Sequence, residues 1–207
     1  MKFKSLIKLS SLVLLLGITI QTFSQSKKSN IMDNIKNENI GLLVIMKAKE
    51  GKEQEVKEFL LGGLSLVNAE PKTESWFAFQ IDEQTFGIYD TFEAEEGRQA
   101  HLKGEVAKAL LANAGDLLEG FDPSKDIKTV DVQASNHKVG NQNKGLLVIM
   151  KAKEGKTSAV EDFLQAGKSL VSSEPATLSW YAFKINEETY DIIQAKYLYR
   201  RAMELEL

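Results

Sequence analysis

One stretch of this sequence gathers most of the side chains that could move a proton or hold a flat ligand. Trp76, Tyr89, Phe92 and His101 follow one another within it. An unperturbed histidine titrates near pH 6.5, so His101 suits proton transfer or ligation. The alternative for it is a boundary histidine that packs its ring and bonds to the backbone. The aromatic residues allow two readings as well. They fill a core, or they wall an apolar pocket in which a few polar groups orient a flat organic molecule. His137, the only other histidine, falls in a polar stretch and carries no argument.

Much other chemistry is excluded. The chain has 207 residues, no cysteine, 27% charged residues and a net charge of -3. Thiol catalysis, disulfide scaffolds and zinc–cysteine sites are therefore ruled out. Two histidines cannot build a histidine-rich metal site, so no metal is expected. A mild acidic balance without basic blocks argues against nucleic acid as a partner. The sequence has no G-x-G-x-x-G, G-x-x-x-x-G-K-[ST], H-E-x-x-H or G-x-S-x-G motif. Paired acids such as Glu95-Glu96 and Glu161-Asp162 read as solvated helix faces.

The elements that would position these residues are legible from periodicity. Residues 42–48 form a β-branched and aliphatic run that ends at the turn EGK. Val56, Phe59, Leu60, Leu64 and Val67 fall at helical spacing over 52–68, and the helix stops before Glu70-Pro71. Residues 75–81 and 85–92 read as a hairpin across Asp82-Glu83-Gln84. Alternation sets Trp76 on the sheet face opposite Phe77 and Phe79, and Tyr89 opposite Phe86, Ile88, Asp90 and Phe92. A second helix is predicted over 95–111, broken by Gly115 and by Gly120 to Pro123, and a last strand over 126–132. The order β-α-β-β-α-β is the split βαβ, or ferredoxin-like, arrangement.

The same pattern begins again. GLLVIMKAKEGK at 41–52 recurs letter for letter at 145–156, and EPKTESWFAFQIDEQTF at 70–86 aligns without a gap with EPATLSWYAFKINEETY at 174–190. This is a duplication of a small domain. The second copy loses the pattern after Tyr190, where DIIQAKYLYRRAMELEL stands in place of a helix and a last strand.

The N-terminus carries Lys2, Lys4 and Lys8, then the apolar run LVLLLGITI and a polar stretch. Spanning a membrane takes about 20 apolar residues, so the run reads as a secretory signal peptide cleaved near Gln25. An uncleaved anchor would be its only contact with a membrane. The expected organisation is a signal peptide at 1–25, a linker at 26–39, a first domain at 40–133, a linker at 134–143, and an incomplete second copy with a divergent tail at 144–207. The expected location is periplasmic or secreted.

T-x-S-W at Thr73 to Trp76, followed by IYDTFEAEEGRQAHL at 88–102, resembles the antibiotic biosynthesis monooxygenase-like family, which includes quinol monooxygenase-like proteins. The resemblance implies an α+β fold of tandem ferredoxin-like units of the dimeric α/β-barrel type, here with the second unit truncated. It implies a ligand site between sheet and helices, with His101 as catalytic candidate and Trp76, Tyr89 and Phe92 as ligand-binding candidates. Some members oxidise quinols or anthrones with molecular oxygen and no cofactor. The haem-degrading branch carries an asparagine on its first strand, which GLLVIMKAK lacks, and Phe92 is not tryptophan. The expectation is therefore an exported, cofactor-independent monooxygenase acting on a small aromatic molecule. A non-catalytic module that binds an apolar ligand or a protein is the competing expectation. Homo-oligomerisation is expected through the first copy or the exposed sheet.

Overall fold

The computed structural model describes residues 39–137 and 144–196. The proposed signal segment 1–25, residues 26–38 and 138–143 of the two linkers, and the tail 197–207 lie outside the described residues.

The first copy begins with β1 (Ile40–Lys47), whose alternate residues bury on two different faces. Helix α1 (Glu53–Val67) follows the turn at Gly51, which takes a left-handed φ of 79°. Its apolar stripe buries Val56, Leu60 and Val67. The hairpin then forms as β2 (Ser75–Gln80) and β3 (Thr85–Phe92), close to the predicted limits. The Asp82 carboxylate accepts the amides of Gln84 and Thr85 and so fixes the turn between them.

The long second helix predicted over 95–111 is instead two helices, α2 (Glu95–Leu102) and α3 (Glu105–Leu117). The break falls at Lys103-Gly104, whereas Gly115 lies inside α3. Its cause is tertiary. A Cβ at Gly104 would lie 2.4 Å from Glu70 Oε1, so the chain steps round a buried carboxylate there. A short helix, α4 (Pro123–Asp126), follows; Asp122 caps it by accepting the Ser124 amide, and Pro123 occupies its first turn. The last strand of the copy, β4 (Ile127–His137), runs further than 126–132 and takes up the first residues of the segment read as linker.

The second copy supplies β5 (Lys144–Lys151), α5 (Thr157–Ser172), β6 (Thr177–Lys184) and β7 (Thr189–Lys196). All seven strands join one curled sheet in the order β2-β3-β1-β4-β6-β7-β5, and every neighbouring pair is antiparallel. β4 joins the copies, pairing with β1 on one side and β6 on the other, with a bulge between Val132 and Ala134.

Alternation gives this sheet two kinds of core. On the helix-covered face of the first copy, Val44, Met46, Phe86 and Ile88 pack against Val56, Leu60 and Leu110. A corresponding cluster in the second copy joins Leu164 and Val171 of α5 to Trp180, Ala182 and Tyr190. On the inner face of the curl, Leu43, Tyr89 and Val130 meet Tyr181, Phe183 and Ile193, so both copies share that core. Burying each large apolar side chain stabilises the fold by about 1.5–3 kcal/mol. Among the described residues, no helix is long and apolar enough to cross a membrane.

Candidate functional site

The break between α2 and α3, the end of α1 and the middle of β3 converge on one imidazole. His101 sits in the last turn of α2 and is 7% exposed. Its Nε2 lies 3.0 Å from Asp90 Oδ2 on β3, and its Nδ1 lies 2.6 Å from Glu70 Oε2 in the loop after α1. Thr73 donates its hydroxyl to the same Glu70 oxygen at 2.9 Å. The Phe92 ring packs at 5.3 Å from the imidazole.

Burial alone would lower the His101 pKa. Hydrogen bonds and charge from Asp90, then from Glu70, outweigh it and raise the pKa to about 9. Burial raises Asp90, which is 1% exposed, against the opposing hydrogen bond and charge of His101. At neutral pH the arrangement is an imidazolium that donates from both nitrogens, one to each carboxylate. With both nitrogens engaged, His101 has no lone pair free to accept a proton.

The open valences are on its neighbours. Asp90 Oδ1 is buried with no hydrogen-bond partner, and so is the indole Nε1 of Trp76. Both residues line one small cavity between the sheet and helices α1 and α3, with His101 at its edge and Leu42, Leu60 and Val106 among its walls. The cavity measures about 30 Å³, on the order of one water. An acceptor and a donor without a hydrogen-bond partner among the described residues thus belong to two residues that line the same apolar space, where leaving either unmade costs about 1–3 kcal/mol.

The structure brings together three of the four residues singled out from sequence. His101 and Trp76 line the cavity, and Phe92 packs behind the imidazole. Tyr89 is elsewhere. It lies on the inner face of the curl, stacked 4.8 Å from Phe183 and 5.3 Å from Tyr181, because odd and even residues of β3 point to opposite faces. Sequence reasoning missed Glu70 and Asp90 as partners of the histidine. The signal for Asp90 was a lone acid inside the aromatic strand TFGIYDTF, which can be buried only with a partner.

The second copy holds no such centre among the described residues. Glu174 and Thr177 keep the positions of Glu70 and Thr73, but Gln194 replaces Asp90. Its amide donates to Thr177 Oγ1 at 2.9 Å and to Glu174 at 3.4 Å. A neutral amide thus meets the glutamate where the first copy uses a charged pair.

No protein-family model matches the chain, and no curated protein matches it significantly. Solved structures do. A protein of unknown function from Nitrosomonas europaea is 40% identical over 51% of this chain and 99% of its own, with a TM-score of 0.47. A candidate monooxygenase from Fusobacterium nucleatum is 17% identical over 78% of this chain and 77% of its own, with a TM-score of 0.68. Another from Lactobacillus acidophilus is 12% identical, covers 77% of both chains and has a TM-score of 0.65. At such identities the last two bear on fold alone. The chain has the α+β, tandem ferredoxin-like fold of these monooxygenase-like proteins, and among the described residues its second unit comprises β5, α5, β6 and β7.

Proposed function

We propose that the first copy binds a small hydroxylated aromatic of the quinol type between its sheet and helices, and oxidises it with molecular oxygen without a cofactor. One observation carries this reading: the unpartnered Asp90 Oδ1 and Trp76 Nε1 belong to residues that line the same apolar cavity beside a protonated histidine. A phenolic O–H would donate to Asp90, and a second substrate oxygen would accept from the indole. Asp90 is the base, made more basic by burial. His101, read from sequence as the base, instead remains an imidazolium that stabilises the phenolate by charge. That phenolate gives one electron to oxygen. The radical pair combines at a C–H carbon of the ring as a peroxide that takes the proton back from Asp90, and loss of that carbon's hydrogen with O–O cleavage leaves a carbonyl on the ring and releases water. Proton transfer to a placed base is worth roughly 10²–10⁴-fold.

A competing reading, binding without turnover, is favoured by the engagement of both His101 nitrogens, which leaves the histidine unable to take a proton. A ring enters only if the half-buried Phe59 and Leu102 move aside. We further propose that residues 1–25 direct export, which would place this chemistry outside the cytoplasm. The test is oxygen uptake with a panel of quinols and anthrones, alongside fluorescence of Trp76 in a Trp180→Phe background. Quenching with stoichiometric oxygen uptake, lost in Asp90→Asn, supports the oxygenase. Quenching without product supports the binding module. No response from any compound overturns both.

A further inference from the structure

The strongest feature outside this site is the gap between the two edges of the sheet. Among the described residues, β2 pairs only with β3, and β5 only with β7. The two free edges border one groove of about 780 Å³, lined by Phe77, Phe79, Leu146, Leu147 and Ile193. We infer that this groove is a docking slot for a single extended strand of another polypeptide, with a side-chain pattern like that of β4.

The chain contains its own control. GLLVIMK forms both β1 and β5, so the chemistry of the two strands is the same. On the face turned away from the helices, Leu43 of β1 is 5% exposed and Ile45 half-buried, whereas the equivalent Leu147 of β5 is half-buried and Ile149 is 67% exposed. One difference between the two settings is β4, which covers the free side of β1 and nothing equivalent covers β5 among the described residues. An exposed apolar edge of this kind is a template for strand addition.

Direction and register define the occupant. Seven antiparallel strands are an odd number, so β2 and β5 run the same way and one strand can be antiparallel to both. β4 fills the equivalent position between β1 and β6, pairing Asp131 with Ile40 and Lys184, and Val130 with Gly41. Transferred to the slot, this register sets an acidic residue opposite Lys144 and an apolar one opposite Gly145. The occupant is thus about eight residues, or roughly 27 Å, of extended chain, with apolar alternate positions and an acid near Lys144.

The probe is a dye-labelled peptide of sequence DIKTVDVQAS, that of residues 126–135, titrated by anisotropy into the full chain with hydrogen exchange read in parallel. The inference expects one peptide per chain and protection of both β2 and β5. A scrambled peptide, and one with aspartate in place of the Val130-equivalent valine, should each bind at least tenfold more weakly. Leu146→Asp in the protein, at a surface position, should weaken binding similarly. Equal binding of the scrambled peptide, protection of only one edge, or protection of β1 and β6 by strand exchange would overturn the slot. So would both edges already being protected in the chain alone, whether by self-association or by residues 1–38 or 197–207.

Discussion

The charged cluster around His101 predicts how the stability of the protein varies with pH. The folded His101 pKa is about 9, against about 6.5 when unfolded. A raised histidine pKa means the folded state holds the proton more tightly. Its contribution is therefore complete below pH 6.5 and is lost as the pH rises through 9. At about 1.36 kcal/mol per unit the whole window is worth about 3 kcal/mol. This is an upper bound, because Asp90 shares the same proton and its own pKa is raised by burial. Urea unfolding of the full chain between pH 6 and pH 9.5 should show unfolding free energy falling across the window, with His101 contributing no more than about 1.4 kcal/mol per pH unit and Asp191 adding to the fall below about pH 8. His101→Gln removes the titrating proton and leaves two buried acids without a cation. That variant should be about 3–5 kcal/mol less stable at pH 6.5, and its decline between pH 6.5 and 9 should shrink to the part that Asp191 contributes below about pH 8. A parallel decline in wild type and variant would refute the argument, as would the imidazole signal that His101→Gln removes titrating below pH 7.

Three further outcomes are expected. Burial raises the Asp191 pKa to about 7, so its contribution is present below the unfolded value of about 3.9 and is lost as pH rises through 7; Asp191→Asn should remove that loss and add at most about 4 kcal/mol at pH 8, read by urea unfolding at pH 4 and pH 8. Gly104→Ala puts a methyl group against Glu70 Oε1; it should cost about 1–3 kcal/mol and lower the His101 pKa, measured by NMR titration of the imidazole. Leu164→Ala, in the core under α5, should cost about 2–5 kcal/mol, whereas the exposed Leu170→Ala on the same helix should change stability by less than about 0.5 kcal/mol in thermal or urea unfolding.

What the sequence reveals and what it hides divide by range. The hairpin limits, α1 and the burial faces of β3 follow from periods of two and 3.6, which are local. The same alternation that puts Ile88 and Asp90 under the helices sends Tyr89 to the other side, and the period of the strand alone dictates that separation. The broken helix was not legible in the same way. Lys103-Gly104 looks no weaker as helix than Gly115, and only the Glu70 carboxylate, arriving from 34 residues earlier, decides which glycine ends it. The charged centre is hidden for the same reason: His101 and Glu70 are 31 residues apart and come from separate elements. The limit is clearest in GLLVIMK. In β1 that segment is interior strand, paired on both sides and nearly sealed. In β5 the same letters form an edge with Leu146 and Ile149 in the open. Local sequence makes the segment a strand in both places. Whether its apolar faces are core depends on the strand and the helices that lie against them, so what covers β5 cannot be read from β5 itself.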